Sequence, residues 1–90
     1  MNLQEIIDLN YNATVKRGQI KVDTKARSFV YKLRDELIEL DDSIEDNFNE
    51  FDTKELADCA LVCFAMAKHF GIDLIKEMEE KAIYNSKRKD

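Results

Sequence analysis

Ninety residues make one domain at most, and a chain of this size buries only about 60–65% of the surface its unfolded form exposes. Fourteen Lys and Arg stand against nineteen Asp and Glu, and the net charge of −5 offers no long-range attraction to a nucleic-acid polymer or an anionic membrane. A small phosphate ligand that arrives with its own metal is compatible with that sign.

Helical signals recur along the chain, proline is absent, and the pattern predicts an all-α protein of four helices in a single domain, residues 1–90. The first helix is expected from Leu3 to Arg17, with Ile6, Ile7, Leu9, Ala13 and Tyr11 inward and Gly18 as its left-handed stop. Residues 19–23 alternate over too short a span for a strand and read as a connector. The second helix is expected from Thr24, its hydroxyl capping the free amides, to about Glu45. Its apolar stripe is Ala26, Val30, Leu33, Leu37, Leu40 and Ile44, with Phe29 alongside. Residues 46–50 form a polar loop, with Phe48 and Phe51 as anchors back to the core.

Asp52 or Thr53 caps a third helix that runs to Phe70 and stops at Gly71; Asp73 caps a fourth that reaches Ile83 or beyond. The third helix is apolar on every side from Cys59 to Ala67, which predicts burial that a 90-residue chain cannot supply by itself. A homodimer or homotetramer is the expected assembly. Cys59 and Cys63 read as two small buried thiols of a reduced cytoplasm, and His69 as a helix-end polar residue. The first residues lack the basic-then-apolar pattern of a signal peptide, and the longest apolar run is far below the roughly 18–20 residues that span a bilayer. The expected location is the cytoplasm.

Two acidic pairs, Glu36-x-x-Glu39 and Glu55-x-x-Asp58, carry the chemistry. Glu36 and Glu39 lie about 60° apart on one border of the second helix's stripe. An antiparallel hairpin of the second and third helices brings all four carboxylates to one end. Two like charges about 4 Å apart repel by roughly 4 kcal/mol at an effective dielectric of 20, so the cluster calls for a hard divalent cation, Mg²⁺ or Mn²⁺. A competing explanation exists for Glu55, because Asp52-x-x-Glu55 also fits a capping box. Solvated helix faces, too, commonly carry acidic pairs at this spacing.

The order of the motifs, E-x-x-E followed by E-x-x-D, resembles the all-α nucleotide pyrophosphohydrolases of the MazG type. Residues 33–40 and 55–61 look like that family's two acidic helices, and residues 70–74 like the turn that follows. The element Lys81-x-x-x-Asn85-x-x-Arg88 is similar to the family's closing segment, and Asn12-x-x-x-Lys16-x-Gly18 resembles its N-terminal element. The resemblance implies a Mg²⁺-dependent hydrolase that cuts nucleoside triphosphates between the α and β phosphates, releasing a nucleoside monophosphate and pyrophosphate. It implies a metal site at Glu36, Glu39, Glu55 and Asp58, with Glu36 or Glu39 positioning the attacking water. Lys16, Lys81, Asn85 and Arg88 would contact the substrate, and Phe29 and Tyr11 are candidates for touching the base. The alternative is a helical protein of the same ancestry without activity, which binds a protein partner or senses a nucleotide or metal.

Overall fold

The computed structural model describes residues 1–89, and within them the chain forms four α-helices and no strand: α1 (Leu3–Lys16), α2 (Ala26–Asp42), α3 (Thr53–His69) and α4 (Leu74–Lys87). Local chemistry explains most of the ends. Asn2 and Glu5 form a capping box at the start of α1, each side chain accepting the other's backbone N–H. Gly18 (φ +76°) and Gly71 (φ +68°) turn the chain out of α1 and α3. In both cases the next N–H reaches back to the helix, Gln19 to the Thr14 carbonyl at 3.1 Å and Ile72 to that of Ala67 at 2.8 Å.

The second helix is shorter than its pattern predicts. Thr24 does not cap it; its hydroxyl accepts the Lys21 N–H at 2.8 Å and closes a turn of the connector, leaving Lys25 at the cap without a side-chain bond. At the other end α2 stops at Asp42 instead of Glu45, because Ser43 takes the cap. The Ser43 hydroxyl donates to the Leu40 carbonyl at 2.7 Å and accepts the Asp52 N–H at 3.0 Å, tying the end of α2 to the start of α3. Between them Glu45 and Glu50 pair through backbone bonds in both directions, a turn closed by Asn49 at φ 55°. Asparagine tolerates that left-handed conformation better than most residues. Phe48 is 73% exposed and Phe51 is also exposed, so neither anchors the loop to this chain's core.

Packing is uneven. The α2–α3 hairpin is the most extensive contact, α1 lies against α3, and α4 has no comparable neighbour. The core joins Ile20 from the connector, Phe29 from α2 and Ala65 from α3, with Tyr11 and Met66 packed against them. His69 sits at its edge and bridges three segments. Its Nε2 lies 3.0 Å from the Thr24 carbonyl, which can only accept, so Nε2 carries the proton and Nδ1 accepts the Tyr11 hydroxyl at 2.9 Å. Phe29 and Phe70 flank the same imidazole. An ion pair from Lys68 to Asp8 (2.7 Å) adds to the α1–α3 contact and holds the Asp8 carboxyl below its ordinary range.

Much apolar surface remains uncovered. The accessible area is 7270 Å², against roughly 5,400 Å² for a compact monomer of this mass. The radius of gyration is 15.1 Å, against about 12 Å for 90 residues. Leu9 of α1 points outward, and Ile7 is the buried residue of that helix. On α3 Cys59, Ala65 and Ala67 are buried, whereas Leu56, Ala60 and Cys63 are exposed, so the helix is not enclosed within one chain. Ala26, Leu37 and Ile44 of the expected α2 stripe are exposed too, and α4 buries no residue. No helix among the described residues is long and apolar enough to cross a membrane.

Candidate metal centre

The hairpin clasped by Ser43 sets the last turns of α2 beside the first turns of α3. Carboxylate oxygens of Glu36, Glu39 and Glu55 lie there within 4.8 Å of one another. Their environments differ. Glu36 is 6% exposed, Glu55 is half-buried, and Glu39 is exposed. Lys32, one turn earlier on α2, places its ammonium 2.9 Å from Glu36 Oε1. Glu36 Oε2 and Glu55 Oε2 are both buried with no hydrogen-bond partner.

An orphaned oxygen of a buried carboxylate is a costly feature, about 1–3 kcal/mol for a polar group and more for a charged one. Two of them in one cluster need a shared counter-charge. Three hard oxygen donors from adjacent helices fit a small divalent cation, and the unpartnered atoms are the ones such an ion would use. The capping-box explanation for Glu55 does not hold. The Asp52 carboxylate accepts the Lys54 N–H at 2.9 Å, and the Asp52 N–H is taken by Ser43, leaving Glu55 for the cluster. Asp58 is exposed and stands outside the trio, but with Glu36 it lines the adjoining cavity.

Burial, then the neighbouring Glu39 side chain, raises the Glu55 carboxyl above its ordinary value of 4.5, with Asp52 and Asp58 adding to the effect. The folded protein therefore holds this proton more tightly than the unfolded chain does. The penalty of the ionised group is full at neutral pH and is relieved as pH falls through the raised value towards 4.5. Accordingly, Glu55→Gln should raise the melting temperature of the metal-free protein at pH 7, with the gain shrinking on acidification. A lower melting temperature at pH 7, measured by calorimetry with chelator present, would mean that this carboxylate is satisfied within the chain. Burial likewise pushes the Cys59 thiol up, with Glu36 next in effect, so Cys59 is an inert thiol beside the acids.

A cavity of about 500 Å³ opens from Glu36 and Asp58 between α1 and the hairpin. Asn10 and Thr14 of α1 and Arg17 at its C-cap line it at i, i+4 and i+7, and Ser28, Lys32 and Glu36 of α2 at i, i+4 and i+8. Leu61, Val62 and Ala65 of α3, with Phe29 and Ile20, form its apolar wall. None of the four substrate-contact residues expected from the sequence lines this cavity. Lys16 is exposed at the end of α1, beside Arg17, which does line it. Lys81 and Asn85 are exposed on α4, with the Lys81 ammonium over the Tyr84 ring, and Arg88 is the C-cap of that helix. Phe29 borders the cavity, while Tyr11 does not and spends its hydroxyl on His69.

Lys32 was detectable in the sequence, because a lysine four residues before a glutamate on a helix is a pairing signal. Asn10, Thr14 and Ser28 carried no comparable signal, since a small polar residue on a helix reads as solvated surface. No protein-family model, curated protein or solved structure matches the chain.

Proposed function

We propose that the protein is a Mg²⁺- or Mn²⁺-dependent nucleoside triphosphate pyrophosphohydrolase of house-cleaning type, acting in the cytoplasm as a homodimer or homotetramer. The observation that carries this reading is the pair of buried, unpartnered carboxylate oxygens on the clustered Glu36 and Glu55, of which Glu36 also lines a nucleotide-sized cavity. The MazG-like order of the two acidic motifs agrees with it. Glu36, Glu39 and Glu55, with Asp58 alongside, would hold a divalent cation, and such an ion would supply Lewis-acid neutralisation of the phosphate oxygens. Glu39, the exposed member of the trio, would orient the attacking water and accept its proton, and its exposure supports that role over Glu36. The apolar wall of Leu61, Val62 and Phe29 keeps water from one side of the bound nucleotide.

Surface area supports the assembly. The chain exposes roughly 1,800 Å² more than a compact monomer of its mass would, and obligate homodimers bury about 1,000–2,500 Å² per subunit. The same exposed apolar faces on α3 and α4 favour a second reading, a helical interaction protein or sensor without turnover. Incubation with a panel of nucleoside triphosphates, with and without Mg²⁺, separates the two. The expected result is nucleoside monophosphate and pyrophosphate in equal amounts, abolished by chelator. No turnover of any triphosphate by the folded, Mg²⁺-loaded protein would favour the interaction module.

A further inference from the structure

Lys32 belongs to neither acidic motif, yet its ammonium lies 2.9 Å from Glu36 Oε1. Its side chain is about half exposed, while that of Glu36 is nine-tenths buried. Both residues line the cavity, and so do Ser28 and Phe29 one turn further along α2. From Ser28 to Glu36 this face is about 12 Å long at 1.5 Å per residue, enough to hold a nucleoside beyond its phosphates. The cations nominated by sequence spacing are not on this cavity.

A lysine held by a buried carboxylate depends on that carboxylate's negative charge. A divalent cation bound to Glu36 cancels the attraction and replaces it with repulsion. The flexible four-carbon stem leaves the ammonium free to turn into the cavity, one helical turn from the acidic end. There it would reach the phosphate-bearing part of a ligand whose charge a bound metal would neutralise only in part.

We infer that Lys32 is the phosphate-binding cation of this site, holding Glu36 in the metal-free protein and passing to a polyphosphate oxygen when divalent cation and nucleotide are bound. This rests on the nucleotide reading above. It has a signature of opposite signs, because the same ammonium opposes the metal and favours the polyphosphate. A residue that merely supported Glu36 would help both.

The test is calorimetry on the full-length protein and on Lys32→Met and Lys32→Arg. Without nucleotide, Lys32→Met is expected to bind Mn²⁺ about threefold more tightly or better, since a competing charge is gone. With Mn²⁺ present, it is expected to bind an α,β-methylene nucleoside triphosphate roughly 10- to 100-fold more weakly, the worth of one hydrogen bond to a charged group. Lys32→Arg should restore most of the analogue affinity. Weaker Mn²⁺ binding by Lys32→Met would make Lys32 a support for Glu36 and overturn the inference. Equal affinity of wild type and Lys32→Met for the analogue would also overturn it while leaving the nucleotide reading intact. If the wild-type protein binds Mn²⁺ but neither the analogue nor inorganic tripolyphosphate, the nucleotide reading fails and this inference falls with it.

Discussion

Glu36→Gln is expected to lower kcat/KM for nucleoside triphosphate hydrolysis about a thousandfold or more, roughly 4 kcal/mol of transition-state stabilisation at 1.36 kcal/mol per factor of ten. The same substitution should weaken Mn²⁺ binding without lowering the melting temperature of the metal-free protein. Glu36 is the most buried of the three clustered acids, and its Oε2 has no partner within the chain. Glutamine preserves the volume and removes a charge that faces Glu39 and Glu55. The unpaired Lys32 ammonium is about half exposed and can be resolvated at little cost. Stability and metal affinity should therefore move apart. A residue of structural importance alone would lose stability first. Unchanged Mn²⁺ affinity in the folded variant would remove Glu36 from the metal centre.

Met66→Asp is expected to abolish folding and association together. Met66 is partly buried against the cluster of Ile20, Phe29 and Ala65, where a carboxylate would lose much of its hydration to an apolar surface. Such a group costs several kcal/mol, a large part of the roughly 5–15 kcal/mol that holds a domain folded. Because folding loss alone could produce that outcome, α4 supplies the separating variant. Met78 is 53% exposed within one chain, so Met78→Asp should be close to neutral, within about 0.5 kcal/mol, if the chain works as a monomer. If α4 packs against a second copy, Met78→Asp should shift the sedimenting species from a multiple of 10.5 kDa to the monomer, with helical content preserved. A wild-type protein that sediments as a monomer at micromolar concentration would end the oligomer proposal.

Four helices in this order were legible from the sequence because each carries its own punctuation. Gly18 and Gly71 end α1 and α3 through a left-handed turn that glycine adopts without a Cβ penalty, and Asp52 and Asp73 cap α3 and α4 as their side chains predict. Asn2-x-x-Glu5 was legible in the same way and is a capping box, one the periodicity reading passed over. The signal failed where a residue had a competing partner. Thr24 looks like a helix cap, but Lys21 is close enough to take its hydroxyl first. Asp52-x-x-Glu55 looks like a capping box, but Ser43 from the preceding segment takes the Asp52 N–H.

The acidic motifs divide along the same line. Spacing by three places Glu36 and Glu39 on neighbouring lines of one helix, and the hairpin brings Glu55 to them, all of which follows from helical period and chain order. Which acid is buried does not follow, because it depends on what lies across the interface. Periodicity marks an apolar stripe without saying what will cover it, so it could not distinguish Phe29, enclosed by Ile20, Ala65 and His69, from Leu37 on the same helix, which stays exposed. Nor could it foresee His69, whose two ring nitrogens gain their partners from α1 and the connector. The sequence by itself determined helix number, most of the helix ends and the approach of Glu55 to Glu36 and Glu39, though not the position of Asp58 outside that trio, since these depend on neighbours within a few residues and on the sense of one hairpin. Tertiary structure alone decided the cavity, which cations share it with the apolar wall of α3, and the two orphaned oxygens. Each of these is a relation between segments distant in the chain, fixed by which side chains reach a common space when the helices pack.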